Sequence, residues 1–233
     1  MPAEFKPTRW SLEDIIPEPV ASTLESLLAD LGERATAFES VRGSLTDTME
    51  AAEFQRIIGE YEAILRDAYR AYGYVQLLFF SDLRSQTALN LRDRIDQVLT
   101  GINNRTLFFT LWLRGLSPDT VERLAPAGDY HYYLQNLLKY KPYTLGESEE
   151  QIINLKDTNG INAIVRLYDM ITSGFKFTAE VDGEKQTLTR DQIAALYRHP
   201  APEARAAAYQ ELFRVYEENS TVLAQIYSHR VRD

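Results

Sequence analysis

The chain contains no cysteine. Disulfides and thiolate metal sites are therefore excluded, and nothing demands an oxidising compartment. Histidine is scarce: there are three, His131, His199 and His229. They are followed by Tyr132, Pro200 and Arg230, so none opens H-E-x-x-H, the arrangement that puts two imidazoles on one helix face to hold zinc. The glycine-rich loops G-x-x-x-x-G-K-[ST] and G-x-G-x-x-G are missing, as is the nucleophile turn G-x-S-x-G. Positive charge is in deficit, with a formal net charge of −9. Phosphate backbones would be repelled, so no nucleic-acid partner is expected. Apolar runs such as Leu77 to Phe80 are far too short to cross a bilayer. The opening MPAEFKPTRW lacks the apolar core of a signal peptide. The expectation is a cytoplasmic protein with no membrane partner.

What is present is the balance of a globular chain, 45% hydrophobic and 25% charged over 233 residues. That length suits one large or two small domains. Tyrosine leads the aromatics with 14 copies, and it suits half-buried positions where the ring packs and the hydroxyl reaches a partner. Residues 1–20 are proline-rich and irregular around Trp10, with Leu12, Ile15 and Ile16 as anchors, and read as an extended arm laid over the domain.

Helix signals then dominate. Ser22 to Val41 forms a first helix, ended near Gly43. Phe54, Ile57, Ile58, Tyr61, Ile64, Leu65, Ala68, Tyr72 and Val75 follow helical spacing, with Thr46 or Asp47 as the expected cap. Leu91, Ile95, Val98, Ile102, Phe109 and Leu113 place a second stripe on the next helix, whose Arg92, Asp93, Arg94 and Asp96 read as a solvated face. The short polar link 82–87 makes the two long helices antiparallel neighbours. Ser117-Pro118 starts a further helix as cap and first residue. An aromatic helix from Tyr130 to Tyr140 is stopped by Pro142, and others start near Ser148 and Asn159. Alternation from Phe175 to Leu188 about Asp182-Gly183 predicts one β hairpin. Thr189 to Gln192 is a capping box. The fold class is therefore mainly α, with long antiparallel helices, shorter helices and one small hairpin at about Phe175–Leu188.

A last helix is expected from about Pro202 through Ile226, with no Gly, Pro or cap before Asp233. Either the chain stops inside an element or the end frays uncapped. Leu212, Tyr216, Leu223 and Tyr227 recur at helical spacing and are expected at a surface that another region covers. Left uncovered, such a stripe promotes self-association.

No catalytic constellation emerges. Glu149-Glu150 and Glu217-Glu218 are adjacent pairs, and neighbours on a helix point about 100° apart. Glu149 and Glu150 suit the positive end of a helix dipole. A His229–Asp233 pair supplies two ligands at a chain end, a poor metal site. Tyr130, His131 and Tyr133 stand out as a cluster that lines a peptide groove on one reading and forms an amphipathic aromatic helix on another. No residue is assigned to catalysis or to metal.

Several stretches resemble the oligoendopeptidase F family of zinc metallopeptidases. TRWSLEDIIP from Thr8 is similar to the family's opening, and YKPYTLGESEEQ from Tyr140 to its helix start with a Glu-Glu pair. GINAIVRLYDMITSGFKFTAEVDGEKQTLT from Gly160 resembles a helix and hairpin of its N-terminal domain. The segment from His199 to Asp233, with Arg205 and Ile226-Tyr227, resembles the start of its catalytic region. The resemblance implies an arm at 1–20, an oligopeptidase-type helical domain at 21–200 and the beginning of a catalytic region at 201–233. It implies that the full enzyme cuts internal bonds of short peptides with zinc, held by ligands that would lie beyond Asp233. The N-terminal helices would wall a deep channel, with Tyr130, His131 and Tyr133 as channel residues. This chain alone would hold no cofactor and cleave nothing, and its partners would be short peptides and the missing catalytic region. A stand-alone helical binding or scaffold module, or a truncated product without separate function, are the competing readings.

Overall fold

A computed structural model describes residues 11–17, 20–83, 85–181 and 183–232. Trp10, Asp182 of the expected turn and Asp233 of the terminal pair lie outside the described residues. Residue contacts divide the chain into two units, 1–155 and 156–233. The fold is mainly α with one antiparallel two-stranded sheet.

The first unit is built on three packed helices, α1 (Val20–Phe38), α2 (Ala51–Ser81) and α3 (Gln86–Gly115). Phe54 at the start of α2 meets Trp112 near the end of α3, with ring centroids 6.3 Å apart. Phe79 at the end of α2 meets Arg92 near the start of α3. The two long helices are thus antiparallel, as the short link requires. The predicted stripes form the core, with Phe54, Ile57, Ile58, Tyr61 and Ile64 buried on α2 and Ile95, Ile102, Phe109 and Leu113 on α3. Of the arm's anchors, Ile16 is buried, and Leu12 and Ile15 pack on this core.

Two local expectations fail for physical reasons. Neither Thr46 nor Asp47 caps α2, which starts at Ala51 after Glu50 with no side-chain cap. Instead Arg123, on α4 (Pro118–Leu124), donates to the carbonyls of Asp47 and Met49 and fixes the approach to α2. Arg92 is not solvated. It lies one helical turn from Ile95, hence on the core face, and its guanidinium sits 4.4 Å over the Phe79 ring. Its neighbour Arg94 does face out, donating to Glu25 of α1 at 2.7 Å.

α4 carries the expected Ser117 cap, whose hydroxyl accepts from the Thr120 N–H at 3.1 Å. Gly128, at φ 85°, opens α5 (Asp129–Leu138). That left-handed backbone favours glycine, because a Cβ there meets the neighbouring carbonyl. α6 (Glu147–Asn159) follows, with Glu150 accepting from the Leu145 N–H at 3.0 Å, a capping role for one of the paired carboxylates.

In the second unit α7 (Ile161–Ser173) leads to β1 (Phe177–Val181) and β2 (Glu184–Leu188), paired Phe177 to Leu188 through Val181 to Glu184. Gly183 has φ 81°, as a tight hairpin turn requires. The Thr189–Gln192 capping box is present and starts α8 (Arg190–Ala195). Phe175, Phe177, Ala179 and Leu188 bury one hairpin face against Ile193 of α8 and Ala208 and Val215 of α9 (Pro202–Glu218). Arg205 fixes the start of α9 by donating to the carbonyls of His199 and Pro200 at 2.7 and 2.9 Å.

The single last helix expected from Pro202 is two. α9 ends at Asn219, whose side chain turns back to donate to the Val215 carbonyl at 2.8 Å, and α10 (Ser220–Arg232) restarts. Asparagine bonding to nearby backbone in this way competes with helix continuation. Leu212, Tyr216 and Leu223 are half-buried against the second core, whereas Tyr227 is exposed. No helix among the described residues is long and apolar enough to cross a membrane.

Glu211 of α9 protects the hairpin edge. Its Oε1 accepts from the Thr178 N–H at 2.7 Å, and Arg214 donates to both its oxygens at 2.7 and 2.8 Å. Glu218, of the second acidic pair, completes this cluster at 2.6 Å from Arg214. The Arg214 hydrogen bond holds the Glu211 carboxyl below its usual range, against burial, which pushes the other way. A lowered carboxyl contributes stability that is complete above about pH 4.3 and is lost as pH falls through the lower folded value. Glu211→Ala is expected to cost about 1.5–3 kcal/mol, because a strand N–H loses a charged acceptor. Chemical denaturation from neutral to acid pH should show the variant with a flatter acid limb. An unchanged limb would remove Glu211 as its source.

Candidate functional site

α5 packs on α3 and α4, and its Tyr130 reaches Glu62 near the middle of α2. Between α2 and α5 lies a cavity of about 270 Å³. Ile58 and Leu65 supply its apolar wall, Tyr61, Tyr130 and Tyr133 its rings, and Glu62 and Asp129 its carboxylates. The one-turn spacing Ile58, Tyr61/Glu62, Leu65 on α2 presents these side chains along one edge.

The hydroxyls are held in definite states. Tyr130 donates to Glu62 Oε2 at 2.6 Å, and this bond, with burial, keeps the phenol above its ordinary pKa. Tyr61 shares a hydrogen bond with Thr110 at 3.1 Å, and burial raises it too. Burial pushes Tyr133 up to about 12, with the charge of Arg114 opposing. A phenol with a raised pKa stays protonated at neutral pH. All three hydroxyls therefore keep their protons, Tyr130's already engaged in its hydrogen bond to Glu62, and none is poised as a base or nucleophile. The chemistry is recognition: rings and aliphatic wall for an apolar group, hydroxyls for amide groups, and carboxylates that favour a cationic end.

Two of the three residues singled out from sequence, Tyr130 and Tyr133, thus share one cavity. His131 does not line it. It turns towards Ala125, whose carbonyl accepts from Nδ1 at 2.8 Å, while Gln135 Nε2 lies 2.8 Å from Nε2. A carbonyl only accepts, so the proton sits on Nδ1 and Nε2 accepts from the glutamine. Tyr61 and Glu62 escaped the sequence reading as site residues. The only signal was a tyrosine and a glutamate at the edge of an apolar stripe, which reads equally as core and rim.

The other polar candidates are structurally engaged. His199 Nδ1 accepts from the Ala201 N–H at 3.2 Å, Glu150 from the Leu145 N–H at 3.0 Å and Glu218 from Arg214 at 2.6 Å. Among the described residues no group of three or more His, Asp or Glu side chains is placed to hold a metal ion. These residues do not fit a zinc site, which needs three or four converging ligands.

A family model described as oligopeptidase F, an N-terminal peptidase M3 region, matches residues 116–177. That segment carries α5 and its tyrosines. No curated protein matches the sequence. Among solved structures, oligoendopeptidase-F from Enterococcus faecium superposes with a TM-score of 0.73 at 18% identity, over 91% of this chain and 43% of that one. A provisionally assigned peptidase from Chlamydophila abortus gives a TM-score of 0.51 at 15% identity, over 96% of this chain and 38% of that one. The chain spans less than half the length of these proteins. Residues 116–177 are thus similar to the N-terminal region of oligopeptidase F, and the chain shares its fold with part of these structures.

Proposed function

We propose that this chain is the N-terminal, channel-wall portion of a zinc-dependent oligopeptidase acting on internal bonds of short peptides in the cytoplasm, and that it does not catalyse by itself. The observation that carries the reading is the oligopeptidase F match across residues 116–177, joined to a shared fold over 91% of the chain. The tyrosine cavity supports a binding role, since its protonated phenols and flanking carboxylates suit a peptide side chain beside amide groups. The zinc ligands and the base would come from a catalytic region that these residues do not include, and no catalytic step is assigned to them. That region would dock on apolar surface such as Tyr227 and Val231, both largely exposed. Through the same surface the isolated chain would self-associate.

The test uses the chain as it is. A fluorophore-labelled short peptide bearing a lysine or arginine beside an aromatic residue should bind saturably, as followed by anisotropy. Tyr133→Ala should weaken binding about tenfold, the loss of one aromatic contact and its hydroxyl. With added zinc, a quenched peptide should remain uncut. Zinc-dependent, chelator-sensitive cleavage would overturn the inactive reading. Binding indifferent to Tyr133 would remove the cavity from the channel wall.

A further inference from the structure

The second unit contains a cavity that the peptidase reading does not use. It measures about 400 Å³ and is lined by Tyr168 of α7, Arg190 of α8, Tyr197, and Leu212, Phe213 and Tyr216 of α9. That is the size of a site for a small organic molecule. Its composition reverses the character of the chain. The protein carries a net charge of −9, yet none of the residues lining this cavity is acidic, and one is an arginine. Among the described residues Arg190 forms no ion pair. The α2–α5 cavity, by contrast, is flanked by two carboxylates.

The walls are set in advance. Tyr197 stacks on Tyr209 with centroids 4.2 Å apart and planes 12° from parallel. Tyr216 is held edge-on by Phe175 at 5.4 Å, and Tyr168 lines the cavity with it. Arg190 lines the same cavity as Tyr168, Tyr197 and Tyr216, so its side chain borders these rings. Arg190 is the first residue after the Thr189 cap, so its backbone is fixed by the capping box. Phe213 is 65% exposed, an unusual state for a phenylalanine on a helix that otherwise packs on its own core.

A guanidinium offers two parallel N–H donors that match a carboxylate. Around it the rings supply apolar enclosure, and hydroxyls remain for further acceptor atoms. A single arginine matches one negative charge better than a phosphate dianion. We propose that this cavity binds a carboxylate carried on an aromatic or apolar stem, with Arg190 taking the carboxylate and Tyr168, Tyr197, Tyr216 and Phe213 enclosing the stem. A free organic acid and the C-terminal residue of a peptide share that chemistry. The proposal does not depend on the chain being part of a peptidase.

The experiment titrates the full chain with 3-phenylpropionate, 3-phenylpropionamide, phenethylamine and inorganic phosphate, followed by amide chemical shifts. The acid should saturate with a dissociation constant on the order of 1 mM, as expected of a small ligand with one charged anchor. The shifts should centre on α8 and α9. The amide should bind at least about tenfold more weakly, and the amine and phosphate should not compete. Arg190→Gln should reduce acid affinity about tenfold, Arg190→Lys less so, with melting temperatures unchanged because Arg190 is exposed. N-acetylphenylalanine and its amide distinguish the two sources: tighter binding than 3-phenylpropionate points to peptide C-termini, and equal or weaker binding to free acids. Equal affinity for acid and amide, competition by phosphate, or an Arg190→Gln variant that binds as the parent would each overturn the proposal.

Discussion

Phe109→Ala is expected to destabilise the first unit by about 3–5 kcal/mol, the cost of truncating a fully buried ring in a core that cannot collapse around the gap. Phe109 has no exposed surface and touches three other rings: Phe38 at 5.4 Å, Tyr61 at 5.1 Å and Trp112 at 5.9 Å. These come from α1, α2 and α3, so this one side chain joins the three helices of the unit. Removing it abolishes dispersion contacts and edge-to-face pairs together. Tyr61→Phe provides the contrast. It keeps the ring and deletes only the hydrogen bond to Thr110, for an expected cost of about 0.5–1.5 kcal/mol. Urea denaturation monitored by tryptophan fluorescence reads both, since Trp112 is in the cluster. A Phe109→Ala loss no larger than that of Tyr61→Phe would mean that the ring cluster is not the unit's centre. Tyr61 also lines the α2–α5 cavity, so the Phe109→Ala variant should bind the labelled peptide poorly as well.

The difference between what the sequence made legible and what it did not follows from range. The stripes on α2 and α3, the Ser117 cap, the Thr189–Gln192 box and the hairpin are local patterns of spacing or turn chemistry, and all are present. The failures involve partners distant in sequence. Arg92 looked solvated because three charged residues surround it, and only the position of Phe79 across the helix pair shows it to be interior. Thr46 and Asp47 looked like caps because nothing local announces that Arg123 will take the carbonyls of that segment. Asn219 looked like an ordinary helical residue until its side chain turned onto Val215. The candidate sites divide in the same way. Tyr130 and Tyr133 were visible as a cluster on one short helix, but Tyr61 and Glu62 join them only because α5, packed on α3 and α4, lies beside α2. The cavity around Arg190 draws on α7, α8 and α9, and no window of the sequence contains it.

Phe177→Ala should have its effect in the second unit, and there it should be severe. Phe177 is fully buried on the inner face of β1, opposite Leu188 and against Ile193, Ala208 and Val215. That cluster is small, and it contains few side chains as large as phenylalanine. At about 0.1 kcal/mol per residue, residues 156–233 would have a net stability on the order of 8 kcal/mol. A loss of about 3–5 kcal/mol would then consume a third to a half or more of it. An isolated two-stranded hairpin is marginal in water, so β1 and β2 depend on α8 and α9 to persist. Hydrogen exchange should accelerate first at the paired amides between Phe177 and Leu188, then across α9, because Glu211 accepts from the Thr178 N–H and ties the strand to that helix. A Phe177→Leu variant keeps most of the apolar volume and should recover much of the protection. If exchange in the hairpin were unchanged by Phe177→Ala, the inner face of β1 would not be the contact that orders it, and the Glu211 bond would have to suffice alone. The same variant also bears on the cavity around Arg190, whose position follows directly from the hairpin through Thr189. Loosening the hairpin should therefore weaken 3-phenylpropionate binding without touching any residue that lines the cavity.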